Sequence, residues 1–289
     1  PRTYVAASRE GRNATAGDEP ADAPVMGITI NGVLTFAKGA NVVPVELLHG
    51  RKAPWSAAER LQMVVADALA MGLNMLRVWG GGEYLPSSFY EACDAAGVLV
   101  WQEAMFACAE YPVDAAFLER VRDEVQYQVR RLSVHSSVVL WSGNNEDGEA
   151  YDTGPASPYQ VLNTGVVLAT IATHDDTRPL WPSSPSPGFA SGVNATGLPV
   201  GGGVPLVTYP RADGTTRGDT HFYNYSACST GTFPDGVRFA SEYGYEGLPG
   251  GGEWTRAASV ASTPPANNAS IPLGLLGSFA QYRQRHAGG

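Results

Sequence analysis

From about residue 56 to residue 174 the sequence alternates between runs of helical period and short apolar runs, and this alternation limits the fold more than any other feature. Residues 56–71 put Leu61, Val64, Val65, Ala68 and Leu69 on one helical face. Ser56 and Glu59 have the spacing of a capping box at its start, and Gly72 closes it. A short buried strand follows in LNMLRVW (73–79), then a helix over 86–96 ended by Gly97 and a strand in VLVWQE (98–103). A long helix over 114–134 aligns Phe117, Val121, Val125, Val129 and Leu132; VVLW (138–141) is the next strand and 158–174 the next helix. Strands alternating with helices at this spacing build βα units around a parallel sheet. The number of units, with polar residues just after each strand, predicts an α/β chain folded as a (β/α)8 TIM barrel in preference to an open doubly wound sheet. No GxGxxG follows the first strand, which argues against a dinucleotide fold.

Upstream, GITINGVLTFAKGAN holds two apolar runs around Asn31-Gly32, a hairpin signal, and its second run, 33–41, is the candidate first barrel strand. Residues 1–25 are polar and read as a flexible lead-in or the end of a preceding domain, which leaves 26–289 for the barrel. The Gly-, Pro- and Ser-rich runs 185–217 and 246–270 read as insertions in preference to active-site loops. A net charge of -9 repels phosphate backbones and argues against nucleic acid, and no run of 18 apolar residues is present to span a membrane. Cys93, Cys108 and Cys228 are odd in number and form no CxxC, so neither a disulfide framework nor a metal site is expected, and no cofactor. Sequons at Asn13, Asn194, Asn224 and Asn268 lend slight support to secretion.

In a parallel barrel the chemistry sits at the C-terminal strand ends. There the sequence offers Arg77 and Trp79 before GGGE, Glu103 in WQE, Asn144, Asn145 and Glu146, the polar cluster THFYNY (220–225), and Glu242 at the end of VRFASEYGY (237–245). Two carboxylates on strand ends suit glycoside hydrolysis, one protonating the leaving oxygen and the other attacking the anomeric carbon. From the pattern alone a solvated loop carboxylate is the favoured reading of each glutamate, ahead of the catalytic one. A like charge at Glu242 is expected to raise the Glu146 carboxyl. His49, His135, His174 and His286 lack metal spacing and read as structural or exposed, while His221 is either a pocket residue or a packed barrel histidine. Cys108 reads as a small buried residue, Arg130 and Arg131 as a solvated helix face, and Glu83 as a loop carboxylate.

FAKGAN, NMLRVWGGGEY, FYEACDAAGVLVWQEAMFACAEYP, QVRRLSVHSSVVLWSGNNE, RPLWPSSPS, GDTHFYNY, RFASEYGY and RQRHAGG closely resemble the β-mannosidases of glycoside hydrolase family 2, from about Gly27 to Gly289. The resemblance implies a retaining exo-acting hydrolase of terminal β-mannose on oligosaccharides or glycoprotein glycans, with Glu146 as acid/base and Glu242 as nucleophile. It implies that Asn145 holds the sugar 2-hydroxyl, that Trp79 walls the sugar site, and that Tyr223 and Arg77 keep the nucleophile ionised. His221 joins the substrate-binding set, and Glu103 stands where the family usually has a sugar-binding Asp, one methylene longer. Val42 for Trp and Glu246 for Gln are further departures, and DGEAYDTG lacks the Trp that family members carry after the acid/base. The resemblance also implies a β-sandwich and an immunoglobulin-like domain before the barrel and an eighth strand after it, so this chain is expected to be a barrel lacking that strand. A lysosomal, vacuolar or secreted location goes with it. The alternatives are another family 2 glycosidase (endo-β-mannosidase, β-galactosidase or β-glucuronidase) or an inactive carbohydrate-binding remnant.

Overall fold

The structure is a computed structural model that describes residues 3–5, 26–46, 56–147, 157–186, 218–223, 237 and 239–243. Most of the lead-in, the greater part of the first Gly/Pro-rich run, the whole of the second, the four sequons and the segment after 243 lie outside the described residues.

β1 (Thr3–Val5), β2 (Ile28–Ile30) and β3 (Val33–Thr35) make an antiparallel sheet. Asn31 and Gly32, with φ of 51° and 83°, form the tight turn between β2 and β3 that their sequence predicts. The strand at Thr3–Val5 falls inside the lead-in, where the sequence reading expects no element; Thr, Tyr and Val all favour extended backbone.

Five strands then form a parallel sheet: β4 (Gly39–Val42), β5 (Met75–Val78), β6 (Leu99–Glu103), β7 (Val138–Ser142) and β8 (Leu180–Trp181). They lie side by side in chain order, without the reversal that marks a doubly wound sheet. The candidate strand 33–41 therefore divides: Val33–Thr35 belongs to the hairpin, and only from Gly39 does the chain join the parallel sheet. A Cβ at Gly39 would stand 2.7 Å from the Met75 carbonyl oxygen, so the close approach of β4 to β5 needs a glycine there.

The helices form where periodicity and caps coincide. α1 (Ala57–Ala70) starts at a complete capping box between Ser56 and Glu59, and Gly72 takes φ 70° just past its end. α2 (Ser87–Ala96) ends at Gly97 in the left-handed region, and α3 (Ala115–Leu132) is capped by Asp114, whose side chain accepts from Phe117 N–H. After β7, a π-helical stretch, Gln160–Leu168, runs into α4 (Ala169–His174). No described helix is long and apolar enough to cross a membrane.

Strand alternation, broken once by a register shift between β6 and β7, sorts the side chains of the sheet. Leu76, Val78, Val100, Val138 and Trp141 pack under the helices with Leu61, Phe89, Val125, Leu132 and Leu162. Met75, Trp101, Leu140 and Trp181 join Met26 and Ile28 in a second cluster. The helix-facing layer is thus a closed apolar core. Among the described residues, the buried Arg77, Glu103, Asn144, Asn145 and Asp147 lie at or just past the C-terminal ends of β5, β6 and β7.

β9 (Thr220–Phe222) and β10 (Ala240–Tyr243) pair in a separate two-stranded sheet. The chain divides into two compact units, Pro1–His221 with Pro234–Ser241, and Phe222–Phe233 with Glu242–Gly289. Each is taken by itself below.

Candidate active site

Past the end of β7 the chain enters Gly143, where a Cβ would come within 2.6 Å of both the Leu168 side chain and the Pro182 carbonyl oxygen. The next residues are stitched on both sides. Asn145 N–H donates to Phe106 O (2.9 Å) and Cys108 N–H to Asn145 O (3.1 Å). On the other side Ser184 N–H donates to Asn144 O (3.0 Å) and Glu146 N–H to Ser184 O (2.9 Å). Held this way, Glu146 takes φ 58° and Cys108 φ 49°. Left-handed backbone at such residues costs about 1–3 kcal/mol each and persists only where the surroundings over-determine it.

These two strained residues touch. The Cys108 thiol donates to Glu146 Oε2 (3.2 Å), and Glu146 Oε1 meets His221 Nδ1. Burial pushes the Glu146 carboxyl up, but the hydrogen bond and charge of His221, the thiol and the Arg77 charge outweigh it and hold the group below the ordinary glutamate range. The expectation of a raised Glu146 is thus overturned, because it weighed a like charge and overlooked His221 and Cys108. Cys108 is an exposed residue, not a buried filler, although partial burial of its sulfur and the neighbouring carboxylate push the thiol up to about 12. Beside them Asp147 is fully buried; desolvation raises it to about 7, against the pull of its bond from Asn163 Nδ2 (3.3 Å).

Arg77 organises the neighbouring strand ends. Its Nε and Nη2 donate to Glu103 Oε1 (3.1 and 2.9 Å), Nη2 also to Asn145 Oδ1 (2.7 Å), and Nη1 to Asn41 Oδ1 (3.1 Å). The guanidinium stands 5.7 Å from the Trp101 ring centroid. Glu103 is fully buried, and its other oxygen accepts from Gly80 N–H (2.8 Å). Both Glu103 oxygens are therefore engaged by protein donors. The GGG run is a packing device: a Cβ on Gly80 would lie 2.8 Å from the Ala104 and Phe106 carbonyl oxygens, and one on Gly81 would lie 2.1 Å from the Trp79 ring. Trp79 is half-buried with its ring over Gly81.

His221 is buried, and its Nε2 lies 3.0 Å from Ser184 Oγ. Ser184 Oγ donates to Asp219 Oδ2 (2.6 Å), as does Ser241 Oγ (2.6 Å). Asp219 Oδ1 accepts from Trp181 Nε1 and Ser186 N–H (2.8 Å each). Ser184, His221 and Glu146 have the order of a hydrolase triad, yet Ser184 is fully buried and its hydroxyl proton is committed to Asp219. It has no access to a carbonyl substrate, so the chemistry on offer is that of the carboxylate. In the second unit the Tyr223 hydroxyl donates to Glu242 Oε2 (2.7 Å), and Glu242 is buried.

A β-mannosidase from Capra hircus is 39% identical over 233 residues, 76% of this chain and 25% of that protein. β-Mannosidase A from Aspergillus clavatus is 36% identical over 250 residues, 79% of this chain and 25% of that protein. A solved β-D-mannosidase from Dictyoglomus thermophilum shares the fold at a TM-score of 0.60 and 30% identity, over 89% of this chain and 28% of its own. No family model matches. Over about three quarters of its own length the chain is thus similar to β-mannosidases. It spans about a quarter of the length of the curated β-mannosidases it matches.

Of the residues singled out from sequence, the structure brings Arg77, Glu103, Asn145, Glu146 and His221 into one network. Tyr223 and Glu242 pair with each other, and Trp79 stands at the end of β5. Sequence reasoning missed Asn41, Cys108, Ser184 and Asp219. Ser184 and Asp219 were visible only as polar residues inside RPLWPSSPS and GDTHFYNY, with no periodicity to single them out. Arg131 is also corrected: it is partly buried, donating to Leu85 O (3.0 Å) and Gln128 Oε1 (2.7 Å), with its guanidinium 5.8 Å from the Tyr90 ring.

Proposed function

We propose that the protein is a retaining exo-β-mannosidase and that residues 26–289 belong to its (β/α)8 catalytic barrel. The observation that carries this reading is Glu146: a strained, half-buried glutamate just past a parallel strand, with both carboxylate oxygens held by groups that carry protons, His221 and Cys108. In the first half-reaction Glu146 gives its proton to the leaving glycosidic oxygen while Glu242 bonds to the anomeric carbon. In the second Glu146 takes a proton from water as the water oxygen displaces Glu242. Tyr223 orients Glu242 through its hydroxyl. Arg77 holds Asn145 for the sugar 2-hydroxyl, Glu103 serves by fixing Arg77, and Trp79 walls the sugar site. Terminal β-mannose on an oligosaccharide is the substrate, no cofactor takes part, and a lysosomal, vacuolar or secreted location goes with the reading.

The test is turnover of an aryl β-mannoside by the full-length protein, with nuclear magnetic resonance following the anomeric proton of the product. First-formed β-mannose is the expected result. A fluorinated mannoside that traps the glycosyl-enzyme should add its mass to the peptide carrying Glu242. First-formed α-mannose, or trapping on another carboxylate, would refute the assignment.

A further inference from the structure

Glu146 must be protonated for one half-reaction and ionised for the other, yet in this structure His221 and Cys108 favour the ionised form. The hydrogen bonds of Asp219 and Ser184 can be followed toward His221. Four donors converge on Asp219: Trp181 Nε1, Ser186 N–H and the hydroxyls of Ser184 and Ser241. That is the pattern of an acceptor-only carboxylate. The Ser184 hydroxyl has Asp219 Oδ2 at 2.6 Å and Ser241 Oγ at 3.3 Å; its single proton goes to the nearer, charged acceptor, so toward His221 Nε2 it accepts. Nε2 therefore carries a hydrogen. Nδ1, facing Glu146, is left either bare or protonated, and one proton is shared across that contact.

Resting on the β-mannosidase reading, we propose that Asp219 and Ser184 are positioning residues that fix the His221 tautomer, so that Nδ1 can take the Glu146 proton and return it. The cycle balances. In the empty site Glu146 is a carboxylate, held so by the hydrogen bond and charge of His221. A sugar closing over the pair excludes water, which disfavours the separated charges and moves the proton to Glu146. Glu146 spends that proton on the leaving oxygen, regains one from water, and passes it to Nδ1 when product leaves. No proton enters or is lost beyond the one that hydrolysis itself supplies.

Asp219→Asn reverses the tautomer. The Asn oxygen stays with the Trp181 and Ser186 N–H donors, and its NH2 then donates toward Ser184. Ser184 becomes free to donate to Nε2, the hydrogen moves to Nδ1, and Glu146 is held as a carboxylate. It can still act as base but no longer as acid. The experiment measures kcat/KM and kcat of the full-length protein and its variants on aryl β-mannosides of graded leaving-group ability. For Asp219→Asn we expect roughly a 100-fold loss on a phenyl mannoside and about 3-fold or less on a dinitrophenyl mannoside, which needs no acid. Added azide should not accelerate turnover, because the base is intact. Ser184→Ala, which leaves Asp219 its bonds to Trp181 and Ser186, should steepen the leaving-group dependence in the same direction and serves where Asp219→Asn does not fold. An equal loss on every leaving group, or azide rescue in Asp219→Asn, overturns this inference while the functional reading stands. A wild type inert on all β-mannosides overturns both.

Discussion

Glu146 combines a backbone conformation that L residues avoid with a carboxylate tied at both oxygens. The strained backbone costs stability, and its coincidence with the tied carboxylate is what sets this glutamate apart from Glu83 or Glu110 on neighbouring loops. Replacing it should therefore cost activity and not stability. Glu146→Ala is expected to melt within a few degrees of the parent, because removing a half-buried charge offsets the lost bonds to His221 and Cys108. It should lose about 100-fold or more on substrates with poor leaving groups and recover turnover with azide on activated ones. Calorimetry and steady-state kinetics on the same preparation check both halves; a variant that melts several degrees lower with uniformly reduced turnover would mean that Glu146 is structural. The two carboxylates were legible in the sequence because strand ends and motifs marked them. The groups that set the state of Glu146 were not. Cys108, Ser184 and Asp219 act across 35 residues or more of chain, through single hydrogen bonds that leave no periodic trace.

At the level of elements, legibility followed local chemistry. The capping box of α1, the Asn31-Gly32 turn and the left-handed Gly97 after α2 are each decided within four residues, and each is where the sequence indicates. The start of β4 at Gly39 and the π-helical stretch before α4 depend on partners elsewhere in the chain, so pattern alone did not define them. The loop after β7 adds a consequence for pH. Asp147, buried by desolvation to about 7, lies well above the ordinary carboxyl value of about 4. A carboxyl raised in the folded state binds its proton more tightly there than in the unfolded chain. Its contribution to stability is therefore complete below about pH 4 and is lost as pH rises through about 7. Melting temperature in the parent should thus contain a component that falls between pH 5 and 7, and Asp147→Asn should remove that component. Melts of the two proteins across this window decide it: parallel curves would contradict the assignment.

The parallel sheet divides labour between its faces, and two consecutive residues of β5 show how. Leu76 is buried in the layer beneath the helices, among Phe89, Val100 and Val125. Arg77 points the other way, into Glu103, Asn41 and Asn145. Leu76→Ala leaves a cavity in a packed core and should cost about 2–5 kcal/mol of stability. The strand-end network is built on the opposite face, so kcat measured well below the melting temperature should stay near the parent value. Arg77→Lys keeps the charge and most of the volume. An ammonium cannot reach Glu103, Asn41 and Asn145 together with the planar fork they surround. It leaves Glu103 less fully paired and Asn145 unheld, so turnover should fall about 100-fold while the melting temperature falls less than in Leu76→Ala. Thermal denaturation and aryl β-mannoside kinetics on both variants separate the effects. Should Leu76→Ala lose activity as steeply as Arg77→Lys at a temperature where both are folded, the two faces would be mechanically coupled, and the helix-facing core would have to be counted as part of the machinery that holds Glu146.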